Sequence, residues 1–177
     1  MKTGRWEKIV AGSGGSEIAE AALVLPLAFL LLLGIYWFGR AFNVYATINH
    51  AAREGARVAV ASTCGSCGNA ATTASTIAGV VTTTMQASGV DPSNITLYAP
   101  AVTSCPGATS SCDNTNNNIT ICKQVQLTQT SNSQGGQWPP VCGVSVSFEY
   151  PYSFSLPYPA NAISLQLKAD VQMRGEY

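Results

Sequence analysis

The sequence predicts an α+β protein: a long N-terminal helix, half of it suited to a membrane, then a second helix and a small antiparallel sheet. Three observations lead to this prediction. An uncharged apolar run lies near the N-terminus, helical spacing of apolar residues continues beyond it, and period-two alternation marks the C-terminal half. Helices therefore precede strands, an order typical of helices packed on an antiparallel sheet.

The apolar run extends from Ala21 to Gly39 without a charged residue. At about 1.5 Å per residue it would reach roughly 28 Å, close to the thickness of a bilayer's hydrocarbon core. Tyr36 and Trp37 stand at its far end, where interfacial aromatics are common. Pro26 predicts a local kink, because it removes one helix hydrogen bond. A cleaved secretory signal is disfavoured, since the only good Ala-x-Ala candidate for a cut site, at 59–61, lies about twenty residues beyond the run.

The helical pattern continues after Gly39, so we expect one helix of about 45 residues, roughly 65–70 Å long. Its second half is amphipathic and has one face free to pack on a domain. Glu54 and Arg57 are three residues apart and predict an ion pair away from that face. The predicted apolar face consists of Phe42, Tyr45, Ile48, Ala52, Ala56 and Ala59.

The remaining chain predicts one more helix and four strands. Residues 68–88 have helical spacing of Ala, Ile, Val and Met, and Gly89 is a plausible helix stop. Ser/Asn/Gly-rich loops separate the strands, the longest at about 100–118, and a Pro/Tyr-rich stretch at 151–160 reads as a rigid crossover. The predicted strands are 94–99, 119–128, 141–150 and 163–173, of which the last three alternate apolar with polar residues.

Charge and cysteine content limit the possible functions. Nine basic and nine acidic residues give no net charge, which argues against nucleic-acid binding. An even number of cysteines, all after the apolar run, predicts disulfides in an oxidising compartment and places the C-terminal part outside the cytoplasm. Their pairing is open at this point. The six are Cys64, Cys67, Cys105, Cys112, Cys122 and Cys142.

No set of residues predicts catalysis, a metal site or a cofactor. Cys64 and Cys67 have the CxxC spacing of thiol oxidoreductases, but the surrounding βαβ pattern is missing, so we interpret them as structural. Zinc binding is disfavoured because no second CxxC follows at finger spacing. His50 is the only histidine, which argues against a Ser-His-Asp site.

Four motifs in the N-terminal third carry a resemblance to a known family. They are Glu20-Ala21-Ala22-Leu23, Leu25-Pro26, Phe38-Gly39-Arg40 and the string AAREGAR at 51–57. In combination they resemble TadE-like proteins, the pseudopilins of the tight-adherence (Flp) pilus system, over residues 15–61. The closing LQLKADVQMRGEY is similar to the family's last strand, and residues 62–160 match only in general layout.

The resemblance implies that a prepilin peptidase cuts after Gly15. Ser16 would then be the new N-terminus and Glu20 the fifth residue of the mature chain. Cutting creates a positive amine at a membrane edge, where a carboxylate that meets it is favoured. Ala21 departs from the family, which commonly has phenylalanine there. Without cutting, Glu20 would only be an acid at a helix start, where it favours the macrodipole.

The sequence thus predicts a leader at 1–15, a helix at 16–61 and an extracytoplasmic, disulfide-stapled domain at 62–177. The resemblance implies a non-enzymatic pilin-like subunit of a bacterial inner membrane that assists assembly of a Tad/Flp-type pilus or secretion machine. Its partners would be the lipid bilayer, the prepilin peptidase and other pilin-like or Tad subunits, including itself. The residues assigned to helix packing are Pro26, Phe38, Gly39, Arg40, Arg53, Glu54, Gly55 and Arg57.

The alternative comes from another functional class. It is an uncleaved, single-pass anchored binding module or adhesin whose loops at 100–118 and 129–140 contact a ligand. The two hypotheses differ at the N-terminus, because only the first requires a free Ser16 amine.

Overall fold

The chain divides into two compact units, Met1–Arg40 and Ala41–Tyr177. The first helix, α1 (Gly14–Val60), belongs to both, since the second unit begins inside it. The predicted single long helix is therefore confirmed, and it continues through Pro26. The computed structural model describes residues 14–61, 72–127, 141–155 and 162–175.

The second helix, α2 (Ala74–Ala87), begins and ends at residues that satisfy its backbone. Thr73 is the N-cap, and its Oγ1 accepts the Thr76 N–H at 3.3 Å. Gly89 has φ +74°, the left-handed conformation that commonly ends a helix, so the predicted stop is confirmed. The helix starts later than the predicted residue 68; residues 68–71 lie outside the described residues.

Four antiparallel strands form one sheet in the order β1-β2-β3-β4. The α+β class with an antiparallel sheet is thereby confirmed, since each strand pairs with its neighbour in the chain. The long partners are β3 and β4, which pair without a register shift from Gly143–Arg174 to Ser155–Ala162. The strands are β1 (Ser111–Asp113), β2 (Thr120–Gln126), β3 (Cys142–Ser155) and β4 (Ala162–Arg174).

The predicted strand at 94–99 is wrong. A 3-10 helix, Pro92–Asn94, occupies its start, and the Asp91 carboxylate accepts the Ser93 N–H at 2.9 Å. This hydrogen bond lowers the pKa of Asp91. Beyond it only one isolated bridge forms, between Thr96 and Glu149. Local turn chemistry at Asp91-Pro92 therefore outweighs the β propensity of the residues that follow.

The predicted crossover at 151–160 is also wrong over its first half, because β3 continues through Pro151 to Ser155. The backbone N–H and C=O of Glu149 both form hydrogen bonds with Thr96, at 3.0 and 2.9 Å. These two backbone groups therefore point away from β4. Two residues on, the Pro151 nitrogen faces the same way. The missing N–H therefore costs the β3–β4 ladder nothing.

The predicted loop at 100–118 contains β1, and the predicted alternation of β2 is interrupted. Cys112 and Cys122 are directly opposite one another in the β1–β2 pair and form a disulfide. In β2 the register shifts between Lys123 and Val125, and Gln124 adopts φ 55°. Such a bulge moves the following side chains to the other face of the strand, which a strict period of two does not anticipate.

A second disulfide joins Cys105, in the segment before β1, to Cys142 at the start of β3. Both bridges lie in the second unit. The predicted use of these four cysteines as disulfides is confirmed. Cys64 and Cys67 lie outside the described residues.

The core lies where the second half of α1, α2 and one face of the sheet meet. Phe148, Val146 and Val144 alternate along β3 and are fully buried, as their period-two pattern predicts. On the helices the predicted Ile77, Ala78, Val81 and Met85 are also buried. The core further includes Ile48, Ala51, Ala52, Ala56, Ile119, Ile121 and Ala169.

Candidate assembly surface on the long helix

The first functional region is the start of α1, where the predicted processing site lies. Gly15 and Ser16 are in the first turn, since the helix begins at Gly14. Glu20 follows Ser16 by four residues and therefore shares its side of the helix. The Glu20 side chain is exposed, and the described residues provide it with no ion-pair partner. The start of the helix thus presents an unpaired carboxylate immediately before the apolar run.

The apolar run itself is exposed on all sides within the described chain. Within the described residues, one helix is long and apolar enough to cross a membrane, and no part of its most apolar window is buried. Burying such a helix in lipid removes apolar surface from water at about 25 cal/mol per Å². Its exposed large side chains include Leu23, Leu25, Leu27, Phe29, Leu30, Leu31 and Ile35.

The predicted packing residues of the first unit follow the same pattern. Pro26 lies within the exposed run, and a Cβ at Gly39 would meet nothing within 4 Å. Phe38 is 70% exposed, while Tyr36 and Trp37 stack edge to face with ring centroids 5.5 Å apart. Arg40, also exposed, ends this unit. The described chain covers none of Pro26, Phe38, Gly39 and Arg40, so these residues are available to lipid or to a partner.

The AAREGAR segment behaves differently, because its small residues are used inside the protein. A Cβ on Gly55 would lie 2.5 Å from Val81 Cγ2 and 3.6 Å from Ile77 Cγ2. Gly55 therefore allows α2 to approach α1 closely, with Ala52 and Ala56 buried beside it. The predicted packing role of Gly55 thus has a partner within the chain.

The charged residues of the same segment remain outside the core. Arg53 and Arg57 are exposed and Glu54 is half-buried. The predicted Glu54–Arg57 pair is wrong: among the described residues the only ion pair joins Lys168 to Glu149, at 3.2 Å. A surface ion pair between helix neighbours such as Glu54 and Arg57 is worth only a few tenths of a kcal/mol, which is roughly what ordering two long side chains costs.

Two members of the predicted apolar face are not in the core. Phe42 is 67% exposed and Tyr45 is 47% exposed. At 3.6 residues per turn, Phe42 lies about 120° around the helix from the buried Ile48, so it cannot share its contacts. With Phe38 they form an exposed aromatic stripe, Phe38, Phe42 and Tyr45, at i, i+4 and i+7. Sequence spacing alone did not separate this stripe from the buried face, because both faces are apolar.

The aromatic stripe lies on the same side of the helix as Glu20. Steps of seven, four and seven residues lead from Glu20 through Leu27 and Leu31 to Phe38. Steps of this size return to one face of a helix. All of these side chains are exposed. By their spacing along the sequence they define a stripe, which we call the Glu20–Tyr45 face, of the kind that packs helix against helix.

Among the described residues no group of three or more His, Cys, Asp or Glu side chains is placed to hold a metal ion. His50 is exposed on α1. The arrangement is suited to binding lipid and other helices.

Comparison with known proteins agrees with the N-terminal geometry. The family model described as TadE-like protein matches residues 15–57, which confirms the predicted resemblance over that segment. The match begins at Gly15 and includes Glu20 and all of AAREGAR. It does not extend to the sheet, so the predicted likeness of the closing strand stays a prediction. No curated protein and no solved structure matches the chain.

Proposed function

We propose that this chain is a non-enzymatic, pilin-like membrane subunit that assists assembly of a Tad/Flp-type pilus or secretion machine. The observation that carries the proposal is the TadE-like match at residues 15–57, on a helix exposed over its apolar half. The family links the chain to the Tad pilus system and to a membrane. The pseudopilin role is our inference.

The proposed location is a bacterial inner membrane, crossed once, with the second unit outside the cytoplasm. Two disulfides in that unit support this side, since such bonds persist in oxidising compartments. The proposed lipid-crossing segment ends near Tyr36 and Trp37, which suit the boundary between lipid and water.

In this proposal a prepilin peptidase removes residues 1–15 and leaves Ser16 as the N-terminus. The new amine is positive, and Glu20 stands one turn further along the helix. In lipid an isolated charge is costly, so Glu20 is best satisfied by an amine of its own chain or of a neighbour. A neighbour's amine would fix the stagger between two helices packed along the Glu20–Tyr45 face.

The decisive experiment is N-terminal sequencing, with intact mass, of the protein purified from its native membranes. A chain beginning at Ser16 supports the proposal. A chain beginning at Ser13 would place Glu17 fifth instead, and the charge role would move to Glu17. An intact chain beginning at Met1 contradicts processing and favours the alternative, an anchored binding module or adhesin.

A matched pair of variants tests the charge role. Glu20→Gln keeps the size of the side chain and removes its charge, and Glu17→Gln makes the same change three residues earlier. We expect Glu20→Gln to reduce pilus or secretion output at least tenfold, with cleavage and protein level unchanged. Glu17→Gln should have little effect. Equal effects of the two variants would contradict a specific role for Glu20.

A further inference from the structure

The outer edge of β4 carries backbone groups that no other described strand pairs with. Glu149 directs its N–H and C=O to Thr96, away from β4, and its register partner is Lys168. Glu149 and Lys168 are therefore a non-hydrogen-bonded pair, in which the backbone N–H and C=O of both residues point away from each other. The N–H and C=O of Lys168 therefore face outward, as do those of Gln166 and Asp170, two residues to either side. The described residues offer these three residues no backbone partner on that edge.

The side chains of β4 divide cleanly between two faces. Leu167, Ala169 and Val171 lie on the face that packs on the core, and Ala169 is fully buried. Gln166, Lys168 and Asp170 lie on the opposite face and are exposed. A strand added to this edge must keep its apolar residues on the core side, so it can shift only in steps of two residues.

Lys168 and Asp170 are each held in place by their own chain. Lys168 Nζ lies 3.2 Å from Glu149 Oε1 and 4.4 Å from the centre of the Tyr98 ring. Asp170 Oδ1 accepts a hydrogen bond from Ser145 Oγ at 3.1 Å. Each charged group still has free donors or acceptors, since an ammonium has three donors and a carboxylate about four acceptor sites. The edge therefore presents one fixed cation and one fixed anion on either side of Ala169.

We propose that this edge binds the same edge of a second copy of the chain, with the two β4 strands antiparallel about a two-fold axis at Ala169. This register places Lys168 of each copy opposite Asp170 of the other. It also places Leu167 opposite Val171 and Leu165 opposite Met173, so the apolar face continues across the interface. The outward N–H and C=O groups of Lys168 and Asp170 then pair directly, as the antiparallel ladder requires.

The charges select this register over its neighbours. Shifting by two residues in one direction puts Lys168 opposite Lys168, and in the other direction Asp170 opposite Asp170. Like charges directly opposite each other on a sheet are destabilising. Charged residues commonly protect an edge strand from pairing. Here the two signs flank one residue, so they block the adjacent registers and favour the symmetric one. This is why the occupant is a second copy rather than an unrelated strand.

Cysteine cross-linking in membranes tests the register with the ion pairs intact. One tagged full-length copy carries Ser164→Cys and a differently tagged copy carries Arg174→Cys. These positions are opposite each other in the proposed register, within reach of a disulfide. When either variant is expressed alone, the introduced cysteines of the two paired copies would be about 34 Å apart. We expect mild oxidation to link the mixed copies at least tenfold more than either variant alone. No linkage, or equal linkage in all three samples, would overturn the proposal.

A charge exchange gives a second, independent readout on the same cysteine pair. With Asp170→Lys in both copies, the new lysine of each copy lies opposite Lys168 of the other. This repulsion should reduce the linkage about tenfold. Adding Lys168→Asp restores opposite charges and should restore the linkage. Protease resistance of each variant reports whether it is folded. A folded Asp170→Lys variant that links as well as the parent, or a folded double variant that stays low, would contradict the proposal. None of these outcomes depends on N-terminal cleavage.

Discussion

The two halves of α1 use the same backbone geometry for opposite purposes. Up to Arg40 the helix carries large apolar side chains, Leu, Ile and Phe, and they are exposed. From Ala41 onward most inward positions are small, Ala51, Ala52, Gly55 and Ala56, with Ile48 as the large one, and all five residues are buried. The large side chains of the first half suit a lipid environment, and the small residues of the second half allow close packing against α2. Side-chain size, more than apolarity, separates the two.

The largest expected effect on unfolding free energy comes from removing a disulfide of the second unit. Replacing Cys105 and Cys142 with Ser opens a link between residues 37 apart in sequence. The chain-entropy relation gives a loss of roughly 4 kcal/mol in unfolding free energy. Denaturant unfolding in detergent, followed by near-UV circular dichroism, measures it. Because both bridges lie after residue 60, hydrogen exchange at residues 21–39 should not change.

The shorter bridge is the matched control. Cys112 and Cys122 are only 10 residues apart, so replacing both with Ser should cost roughly 1 kcal/mol less. A larger loss from this pair would show that strand pairing of β1 with β2, rather than loop closure, dominates. A change at residues 21–39 in either variant would contradict the division between the two halves.

Truncating one isoleucine in each half should give the next largest contrast. Ile48 of α1 is fully buried in the core, and Ile48→Ala should lower the unfolding free energy of the second unit by about 3 kcal/mol. Ile35→Ala removes the same atoms from an exposed position and should leave that free energy unchanged. The denaturation midpoint of each variant checks this. Equal losses would mean that the first half also packs on a folded partner.

A smaller contrast is expected for glycine. Gly55→Ala would place a methyl 2.5 Å from Val81 Cγ2. Overpacking of this kind costs about 2 kcal/mol, and the better helix propensity of alanine returns about 1 kcal/mol, so a net loss of about 1 kcal/mol is expected. Gly39→Ala meets nothing within 4 Å and should not destabilise the protein. Thermal unfolding of both variants, and of Gly55→Ala combined with Val81→Ala, tests the contact. Additive losses in the double variant would contradict it.

The smallest effect concerns the acid stability of the second unit. The side-chain hydrogen bond from Thr115, helped by its backbone N–H, lowers the pKa of Asp113 below the ordinary 3.8. Because the folded pKa is the lower one, this contribution is present above the ordinary value and is lost as the pH falls through the folded pKa. Asp113→Asn should therefore slightly flatten the acid limb of the stability profile, measured by denaturation midpoints across that range. A difference that grows toward low pH would contradict the sign.

Much of this architecture could be predicted because the signals were local and long. The 47-residue helix, α2 and the strands β3 and β4 repeat one period over many residues, so small exceptions do not obscure them. The predicted strand at 94–99 failed because it was short and a turn preceded it. β1 was missed because three residues carry no period, and a disulfide helps to define it.

The family resemblance, and with it the predicted processing site, also came from the sequence, since both depend on short motifs near the N-terminus. Two other features of the helix were not. Phe42 and Tyr45 have the spacing of a buried face, yet α2 and the sheet cover a different part of the helix. Gly55 is small for a reason that lies in α2, where Val81 occupies the space of a side chain.

The sequence alone determined the long helix, its apolar first half, the α+β class and the acid that precedes the apolar run, because each depends on residues close together in the chain. Tertiary structure decided which cysteines pair, which face of α1 is covered, and that Pro151 stands in a strand. It also placed Lys168 and Asp170 on an edge that no described strand pairs with. These features depend on residues far apart in sequence, and only packing brings such residues together.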